Sequence, residues 1–415
     1  MEEIDIDVPP YFLCPISLEI MRDPVTVSTG ITYDRQCIER WIFTVKNNTC
    51  PVTKQILSDV DLIPNHTLRR LIQAWCILNA SKGIERFPTP KPPVDKAEIA
   101  KILKDAKLPQ SQMRCLRTLR SIASESDRNK RCMEAAGVVE FLAAIVKNDN
   151  STSMEDSVED ELEFTRASDE ALSILCHLQI SQASLKSLVM SRNSEFVESL
   201  LRVLQRGNYQ SRAYAALLLK SMFEVADPNQ LISLKPKLFV EIVNVLRDQI
   251  STQASKAALQ VLIEVCPWGR NRIKAVEADA VAVVIDLLLD TFEKRACEMM
   301  LVVLDQLCGC AEGRSELLKH SAGIAVVSKK ILRVSHLATE RGVRILSSIS
   351  RFSATSGVVQ EMLHLGVVSK LCLVLQVDCG VKTMERARDI LRLHSRAWKN
   401  SPCILPRLRS FYPSS

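Results

Sequence analysis

The stretch Gly137-Val138-Val139-Glu140-Phe141-Leu142, a turn residue followed by an apolar run, returns five times along this chain of 415 residues. The later copies begin at Glu195, Leu238, Asp279, Gly323 and Gly366. Successive starts lie 58, 43, 41, 44 and 43 residues apart. Self-similarity at a fixed period indicates a stack of similar units, each of which buries its apolar face against its neighbours.

A period of about 42 residues is typical of armadillo or HEAT repeats, which are built from helices. Hydrophobic residues make up 47% of the chain, aromatic residues only 5%, and there are 12 glycines, a composition that favours helices over a β-sandwich. We therefore predict a mainly α protein in which residues 96–400 form an armadillo/HEAT-like α-solenoid and residues 401–415 a C-terminal tail. The apolar stripes of the repeats are interpreted as core, and the array as a binding surface without a catalytic constellation.

One step between repeats is longer than the others, and an acidic segment accounts for the difference. Residues 151–163 contain six acidic side chains and no basic one. Because such a composition cannot bury enough apolar surface to order itself, we predict a disordered acidic loop insert at about 149–165.

A proline-rich segment separates the array from a smaller N-terminal module. Phe87-Pro88-Thr89-Pro90-Lys91-Pro92-Pro93 has four prolines in seven residues. Proline fixes φ and removes a backbone donor, which predicts an extended, semi-rigid spacer. The predicted domains are therefore a module at 8–80, a linker at 81–95 and the repeats from residue 96.

The N-terminal module has the pattern of a small α+β fold. Val25 to Ser28 is β-prone, and Ile31 to Tyr33 is a candidate hairpin partner. Asp34 is the expected N-cap of a helix that extends to Val45. A second helix is predicted from about Thr67, with one apolar face formed by Leu68, Leu71, Ile72, Trp75 and Leu78.

Three motifs follow one another in this module: Cys14-Pro15-Ile16-Ser17, Gly30-Ile31-Thr32-Tyr33-Asp34-Arg35-x-Cys37-Ile38-x-x-Trp41 and Cys50-Pro51-Val52-Thr53. In them the chain resembles the U-box family, the zinc-free relative of the RING finger. The zinc-ligand positions of a RING would fall at about Cys14, Ser17, Thr29, Ile31, Asp34, Cys37, Cys50 and Thr53. Isoleucine cannot ligate zinc and hydroxyls are poor zinc donors, so we expect neither a metal nor another cofactor.

Polar contacts and a larger core must then replace the metal. A structural zinc contributes about 10–16 kcal/mol in small fingers, whereas one hydrogen bond contributes about 0.5–1.5 kcal/mol net. The candidates for a structural polar network are Ser17, Glu19, Asp23, Asp34, Arg35, Thr53 and Asn65. Each of them, taken alone, also fits the role of an ordinary turn or cap residue.

The resemblance implies a docking groove for a ubiquitin-conjugating enzyme, formed by residues 13–18, the helix at 34–45 and residues 50–54. It puts the apolar anchors at Ile16, Trp41 and Pro51, with Leu18 and Lys54 as weaker candidates. Trp41 also fits a core position, because it shares the helical stripe. A ligase of this kind has no covalent catalytic nucleophile, since it holds ubiquitin-loaded enzyme and substrate lysine together.

The order of U-box, proline linker and armadillo repeats is similar to that of the short plant U-box ligases. Pro64 to Ile72 and Cys266 to Asn271 also resemble the stress- and elicitor-responsive subgroup. The resemblance implies a cytoplasmic RING-type (U-box) E3 ubiquitin-protein ligase that dampens plant immune and drought responses. Its partners would be a ubiquitin-conjugating enzyme, ubiquitin and a protein substrate on the repeat array.

A non-catalytic armadillo adaptor and a decoy without ligase activity are the alternative functions. Adaptors that carry basic cargo use a ladder of tryptophans and asparagines, and this array has only Trp268 and Trp398. The net charge of +6 divides into −3 over residues 1–80 and a diffuse +9 beyond them, which argues against nucleic-acid binding. Substrate, cognate enzyme, ubiquitin linkage, phosphorylation and homo-oligomerisation are left open by the sequence.

The sequence gives no sign of export or of a membrane span. The acidic start Met1-Glu2-Glu3-Ile4-Asp5 does not fit a signal peptide, and no apolar run approaches the roughly 18 residues that a membrane span needs. The 14 cysteines include no Cys-x-x-Cys pair. We therefore expect them to be reduced and mostly buried.

Overall fold

A computed structural model describes residues 8–44, 47–57, 62–80, 94–148, 158–190 and 195–398. The chain divides into two compact units. The first unit comprises Met1–Lys104 with Thr118–Ala136, and the second comprises Asp105–Arg117 with Gly137–Ser415.

The N-terminal module of the first unit is a three-stranded antiparallel sheet with two helices. Its elements are a 3₁₀ turn at Pro10–Phe12, β1 at Pro24–Thr26, β2 at Thr32–Asp34, α1 at Arg35–Glu39, a π-helical turn at Arg40–Thr44, β3 at Ile63–Pro64 and α2 at His66–Leu78. The strand order is β2-β1-β3, with Val25 opposite both Tyr33 and Pro64. The hairpin between β1 and β2 turns at Gly30, whose φ of 82° suits a residue without Cβ.

Side-chain caps determine where the two helices of the module begin. The Asp34 carboxylate accepts the N–H of Gln36 at 3.1 Å, so α1 begins after the predicted cap. The Asn65 side chain accepts the N–H of Leu68 at 3.0 Å and caps α2. The helix that was predicted to reach Val45 is α1 followed by the π-helical turn, and Val45 itself lies outside the described residues.

The apolar face predicted for α2 is partly wrong. Ile72 and Cys76 are buried and face the module core. Leu71 and Leu78 are 53% and 79% exposed. These two leucines lie one helical step away from the Ile72–Cys76 stripe, and the small sheet covers only that narrower stripe.

The rest of the described chain is helical. The helices are α3 Lys96–Asp105, α4 Pro109–Glu125, α5 Asp127–Ala135, α6 Val138–Asn148, α7 Val158–His177, α8 Gln182–Met190, α9 Glu195–Arg206, α10 Tyr209–Phe223, α11 Pro228–Ile232, α12 Pro236–Asp248, α13 Thr252–Val265, α14 Asn271–Glu277, α15 Ala280–Asp290, α16 Lys294–Leu307, α17 Ala311–Lys319, α18 Gly323–Lys330, α19 His336–Phe352, α20 Ser356–His364, α21 Val367–Val374, α22 Val381–Leu393 and α23 Ser395–Trp398.

The repeated sequence segment marks every third helix. Its six copies lie at the starts of α6, α9, α12, α15, α18 and α21. The third helix of each unit packs on the third helix of the next, in the series α7, α10, α13, α16, α19 and α22. Three helices per unit make this an armadillo array, which confirms the predicted α-solenoid and decides between the two repeat types.

At three of the six copies the turn residue has a left-handed backbone conformation. Gly137 and Gly366 have φ of 82° and 70°, in the left-handed region that glycine occupies without strain. Asp279, at the corresponding position of the fourth copy, has φ of 65° and takes the same conformation, which aspartate tolerates better than most residues.

Buried polar side chains join consecutive units. The Asn271 side chain is fully buried and donates to the carbonyls of Leu231 at 2.7 Å and Val265 at 3.0 Å. The Arg314 guanidinium donates to the carbonyl of Cys308 at 3.1 Å in the same way. Helix C-termini leave carbonyls without intrahelical partners, and these side chains satisfy them.

The disordered acidic loop predicted at about 149–165 overlaps the beginning of a helix. Residues 149–157 lie outside the described residues, but Val158 onward is the beginning of α7. Charge composition predicts disorder, yet Glu and Leu are also good helix formers and here continue into a helix with a buried core. Most of the predicted linker (residues 81–93) and the predicted tail lie outside the described residues.

Among the described residues, no single helix is long and apolar enough to cross a membrane. Of the helices in the described part of the chain, only α20 and α21 taken together reach that hydropathy, and they are bent by 69° at their junction.

Candidate functional site in the N-terminal module

Two loops of the module have the same backbone structure. The N–H of Leu18 donates to the carbonyl of Cys14 at 2.8 Å, and the N–H of Lys54 donates to that of Cys50 at 2.9 Å. Leu18 and Lys54 have φ of 59° and 60°. A one-pair antiparallel bridge closes each loop at its base. Cys14 to Leu18 (loop 1) and Cys50 to Lys54 (loop 2) are therefore two copies of one turn.

Asp34 connects loop 1 to the sheet and to α1. Its Oδ2 accepts the N–H groups of Arg22 at 2.8 Å and Asp23 at 3.1 Å, while Oδ1 caps α1. The N–H of Asp34 donates to Cys14 Sγ at 3.3 Å. One carboxylate thus holds three backbone donors in place, an arrangement that is stronger than three neutral hydrogen bonds.

Cys37 completes this first cluster from within α1. Burial raises the pKa of the Cys37 thiol, which forms side-chain hydrogen bonds with Ser17 and Cys14. Ser17 Oγ also accepts the N–H of Glu19 at 3.4 Å. Four of the former RING ligand positions therefore meet in one hydrogen-bonded cluster.

A second cluster surrounds the buried sulfur of Cys50. Thr29 Oγ1 donates to Cys50 Sγ at 3.3 Å, and Tyr33 Oη lies 3.0 Å from it. Burial by itself raises the pKa of the Cys50 thiol, but hydrogen bonds from Thr29, Thr53 and Tyr33 outweigh burial and lower the pKa to about 6. Burial raises the pKa of the Tyr33 hydroxyl, which also accepts the N–H of Val52 at 3.2 Å.

Ion pairs connect the two helices of the module to β1. Arg35 Nε lies 2.6 Å from Asp23 Oδ2, and an Arg69 nitrogen lies 3.8 Å from Asp23 Oδ1. The N–H of Asn65 donates to the carbonyl of Pro24 at 2.8 Å. Asp23 therefore contacts both α1 and α2 through their arginines.

A metal site in the described part of the module would need several ligand groups placed close together. Among the residues that the structure describes, no group of three or more His, Cys, Asp or Glu is placed to hold a metal ion. Ile31, at a former ligand position, packs against the core.

Apolar side chains lie at the surface of the two loops. Ile16 and Leu18 of loop 1 are 36% and 74% exposed, and Val52 of loop 2 is also exposed. Pro51 is half-buried, and Thr53 and Lys54 are exposed. The loops thus present an apolar surface with a lysine at one end.

Trp41, on the π-helical turn after α1, has two environments. Its indole N–H donates to the carbonyl of Thr49 at 2.8 Å, just before loop 2. The ring is half-buried and packs in part against the core. The partial burial agrees with the core position considered for Trp41, and its role as a docking anchor stays a prediction.

Tyr33 and Thr49 were not recognised from the sequence as members of this site. A tyrosine at the inward position of a short strand was the available signal, because a buried phenol needs a hydrogen-bond partner. The sequence carries no signal for the role of Thr49, because it acts through its backbone carbonyl and every residue has one.

Comparisons with known proteins agree with this arrangement. The U-box domain model matches residues 8–81, and the model of the plant U-box protein ARM repeat region matches residues 98–409. E3 ubiquitin-protein ligase PUB23 of Arabidopsis thaliana is 56% identical over 414 residues, covering 99% of this chain and 98% of the relative. E3 ubiquitin-protein ligase PUB22 of the same plant is 54% identical over 432 residues, covering 99% of each.

A solved structure shows the repeat fold independently. It comes from work on a phosphorylation switch that controls the interaction between cadherin and β-catenin, with a TM-score of 0.59 and 15% identity over 81% of this chain and 58% of that one. With full-length likeness to the two Arabidopsis ligases and matches to both domain models, the chain belongs to the plant U-box E3 ubiquitin-protein ligases with armadillo repeats and is a ubiquitin transferase.

Proposed function

We propose that loops 1 and 2, with Trp41 between them, form the groove that binds the ubiquitin-conjugating enzyme. The observation that carries the proposal is the matched backbone of the two loops, which presents Ile16 and Leu18 on one side and Pro51 and Lys54 on the other. Trp41 is held next to loop 2 by its hydrogen bond to Thr49. A few apolar anchors in such a surface can carry most of the binding energy of an interface.

Ubiquitin transfer in this proposal needs no nucleophile from the ligase. The thioester stays on the conjugating enzyme, and the ligase gains rate by holding that enzyme close to a substrate lysine. The repeat array supplies the substrate surface, since the stacked third helices form an extended face.

The two hydrogen-bonded clusters take over the structural role of zinc in this proposal. The first cluster joins loop 1 to α1 through Asp34, and the second joins loop 2 to β2 through Tyr33. Ser17 belongs to the first cluster and Thr53 to the second, and the remaining members of the proposed network act from the periphery: Glu19, Asp23, Arg35 and Asn65. Ser17 and Thr53 also accept backbone N–H groups at 3.4 and 3.5 Å, contacts that fit ordinary turn roles as well.

The experiment is a reconstituted ubiquitination assay without added zinc. Wild-type protein should build ubiquitin chains, and Trp41→Ala should reduce the initial rate at least 30-fold, the factor for a hot spot of about 2 kcal/mol. Trp268→Ala, at a partly exposed tryptophan of the array, is the matched control and should retain the wild-type rate. Because Trp41 also contacts the core, Ile16→Ala supplies a second test at a more exposed position.

An adaptor or decoy is the second candidate function, and the same assay separates it. Inactivity of the folded wild type with a broad panel of conjugating enzymes would favour that function. Equal rates for wild type, Trp41→Ala and Ile16→Ala would move the docking site away from these loops.

We further propose that the protein acts in the cytoplasm and dampens plant immune and drought responses. The support is its full-length likeness to the two Arabidopsis ligases together with the Pro64 to Ile72 and Cys266 to Asn271 segments. Loss of the gene should then strengthen the response to a microbial elicitor, and re-expression of the Trp41→Ala variant should fail to restore it. Self-association, which is also left open, can be measured by sedimentation equilibrium.

A further inference from the structure

Helix α5 contacts the helical segment that carries Trp41. One arginine of α5, Arg131, makes two contacts with that segment. An Arg131 nitrogen lies 3.7 Å from Glu39 Oε2. The same guanidinium carbon lies 3.7 Å from the centroid of the Phe43 ring, a cation–π geometry. These residues all belong to the first unit, although Arg131 comes from the repeat region of the sequence.

The burial of Glu39 shows that the contact is closely packed. Glu39 is 6% exposed, which is unusual for a glutamate. Burial raises the pKa of its carboxyl, while Arg131 and Arg35 act in the opposite direction. A carboxylate with so little contact with water needs charged partners, and removal of one partner leaves the other uncompensated.

The chain that enters the repeats is attached to the same helix. The N–H of Val94 donates to Asn129 Oδ1 at 3.4 Å, and Cys132 Sγ donates to the carbonyl of Val94 at 3.5 Å. Glu39 and Phe43, before the predicted linker, and Val94, near its end, therefore all contact α5.

The contact leaves the proposed docking surface open. Ile38 and Ile42 face the core of the module. Glu39 and Phe43 lie on one flank of the helical segment, and Trp41 projects from roughly the opposite flank towards Thr49. Occupation of the first flank by Arg131 does not cover the second.

We infer that Arg131 is a positioning residue, which holds the Trp41-bearing helix on α5 and prevents the module from turning about the proline linker during ubiquitin transfer. The inference rests on the proposed function, because it assigns the conjugating enzyme to the Trp41 side. It makes Arg131 necessary for directed transfer to lysines on the array, and unnecessary for the intrinsic activity of the U-box.

The test compares full-length wild type, Arg131→Ala, Arg131→Lys and Arg117→Ala, the last at an exposed arginine of α4 as matched control. Hydrogen exchange of peptides covering 35–44 should accelerate about fivefold in Arg131→Ala, the factor for about 1 kcal/mol of lost contact. A lysine-reactive reagent should cross-link Lys54 to at least twice as many array lysines in Arg131→Ala as in wild type. In Arg131→Lys, which keeps the cation, the exchange rate and the number of cross-links should lie between those of Arg131→Ala and wild type. Arg117→Ala should match wild type in both.

Ubiquitin-transfer rates separate positioning from the proposed function. Discharge of loaded conjugating enzyme onto free lysine should stay within twofold in Arg131→Ala, while transfer to the lysines of the array should fall several-fold. Unchanged exchange and cross-links in Arg131→Ala would overturn the inference, as would altered exchange with an unaltered cross-link pattern, which is the result for a purely local contact. Failure of wild type to discharge onto free lysine would instead refute the proposed function, and the exchange and cross-link data would still decide the inference.

Discussion

The Tyr33 hydroxyl offers the sharpest test of how loop 2 is held. Tyr33→Phe removes one oxygen from a fully buried side chain and leaves its shape unchanged. Two contacts disappear, the one at 3.0 Å with Cys50 Sγ and the one at 3.2 Å with the N–H of Val52. Cys50 keeps its bond from Thr29, whereas the Val52 amide loses its side-chain partner. The cost of one buried group left without a partner is about 1–3 kcal/mol.

Hydrogen exchange on the full chain measures this cost locally. Peptides covering residues 50–57 should exchange roughly 5- to 150-fold faster in Tyr33→Phe at 25 °C, the range that corresponds to about 1–3 kcal/mol. Tyr11→Phe, at an exposed tyrosine of the same module, should exchange as wild type does. An unchanged rate over 50–57 in Tyr33→Phe would show that the hydroxyl does not order loop 2, and the second cluster would lose its role.

Asp34→Ala frees three backbone donors and should lower the free energy of unfolding of the module by about 3–5 kcal/mol, measured by calorimetry, with Asp34→Asn intermediate. Equal unfolding temperatures of the module in the three proteins would contradict the cluster. Asn271→Ala removes the side-chain donor to two carbonyls, of which that of Val265 keeps the N–H of Trp268 at 3.2 Å and that of Leu231 is left without this partner, so the change should cost about 1–3 kcal/mol in urea unfolding, while Asn229→Ala at an exposed site should cost nothing measurable. Folding lowers the pKa of Cys50 from an ordinary 9.0 to about 6, so its stabilising contribution is full above pH 9, declines as pH falls and is lost below about 6. The free energy of unfolding, measured at several pH values across this range, should depend on pH more steeply in wild type than in Cys50→Ser. Parallel curves for the two proteins would refute this role of Cys50. Excess EDTA should leave the melting temperature unchanged, and a fall would reveal a bound metal.

The repeat array could be predicted from the sequence because its period has a local cause. At three of the six copies a residue with left-handed φ precedes the apolar helix, so Gly137, Asp279 and Gly366 mark the phase there, and the apolar run marks it at the other copies. The number of helices per unit had no such marker, and armadillo and HEAT repeats stayed open until the third helices were seen to stack. The prediction of a disordered loop was wrong from Val158 onward, because a high net charge says little about whether the backbone is helical.

In the candidate site, too, features with a local sequence pattern could be predicted and features that depend on distant contacts could not. Motif spacing brought the former ligand positions to notice as a set, and the structure places seven of the eight in two hydrogen-bonded clusters. Tyr33 and Arg131 were missed because their partners lie far away in sequence, and nothing in a neighbouring residue announces a contact of that range. Their roles depend on side-chain direction in three dimensions, which periodicity alone does not supply. The docking anchors Ile16, Trp41 and Pro51 stay predictions.

The buried Trp398 has a consequence for how the end of the array opens. Its indole is fully buried in the last helix, and its N–H donates to the carbonyl of Val359 at 3.0 Å. In a stack where each unit contacts only its neighbours, the terminal unit is held on one side only and frays first. Trp268, in the interior, is already partly exposed. With Trp41 and Trp75 of the N-terminal module replaced by phenylalanine, a change in tryptophan emission at the onset of heating would therefore report the detachment of the C-terminal repeat.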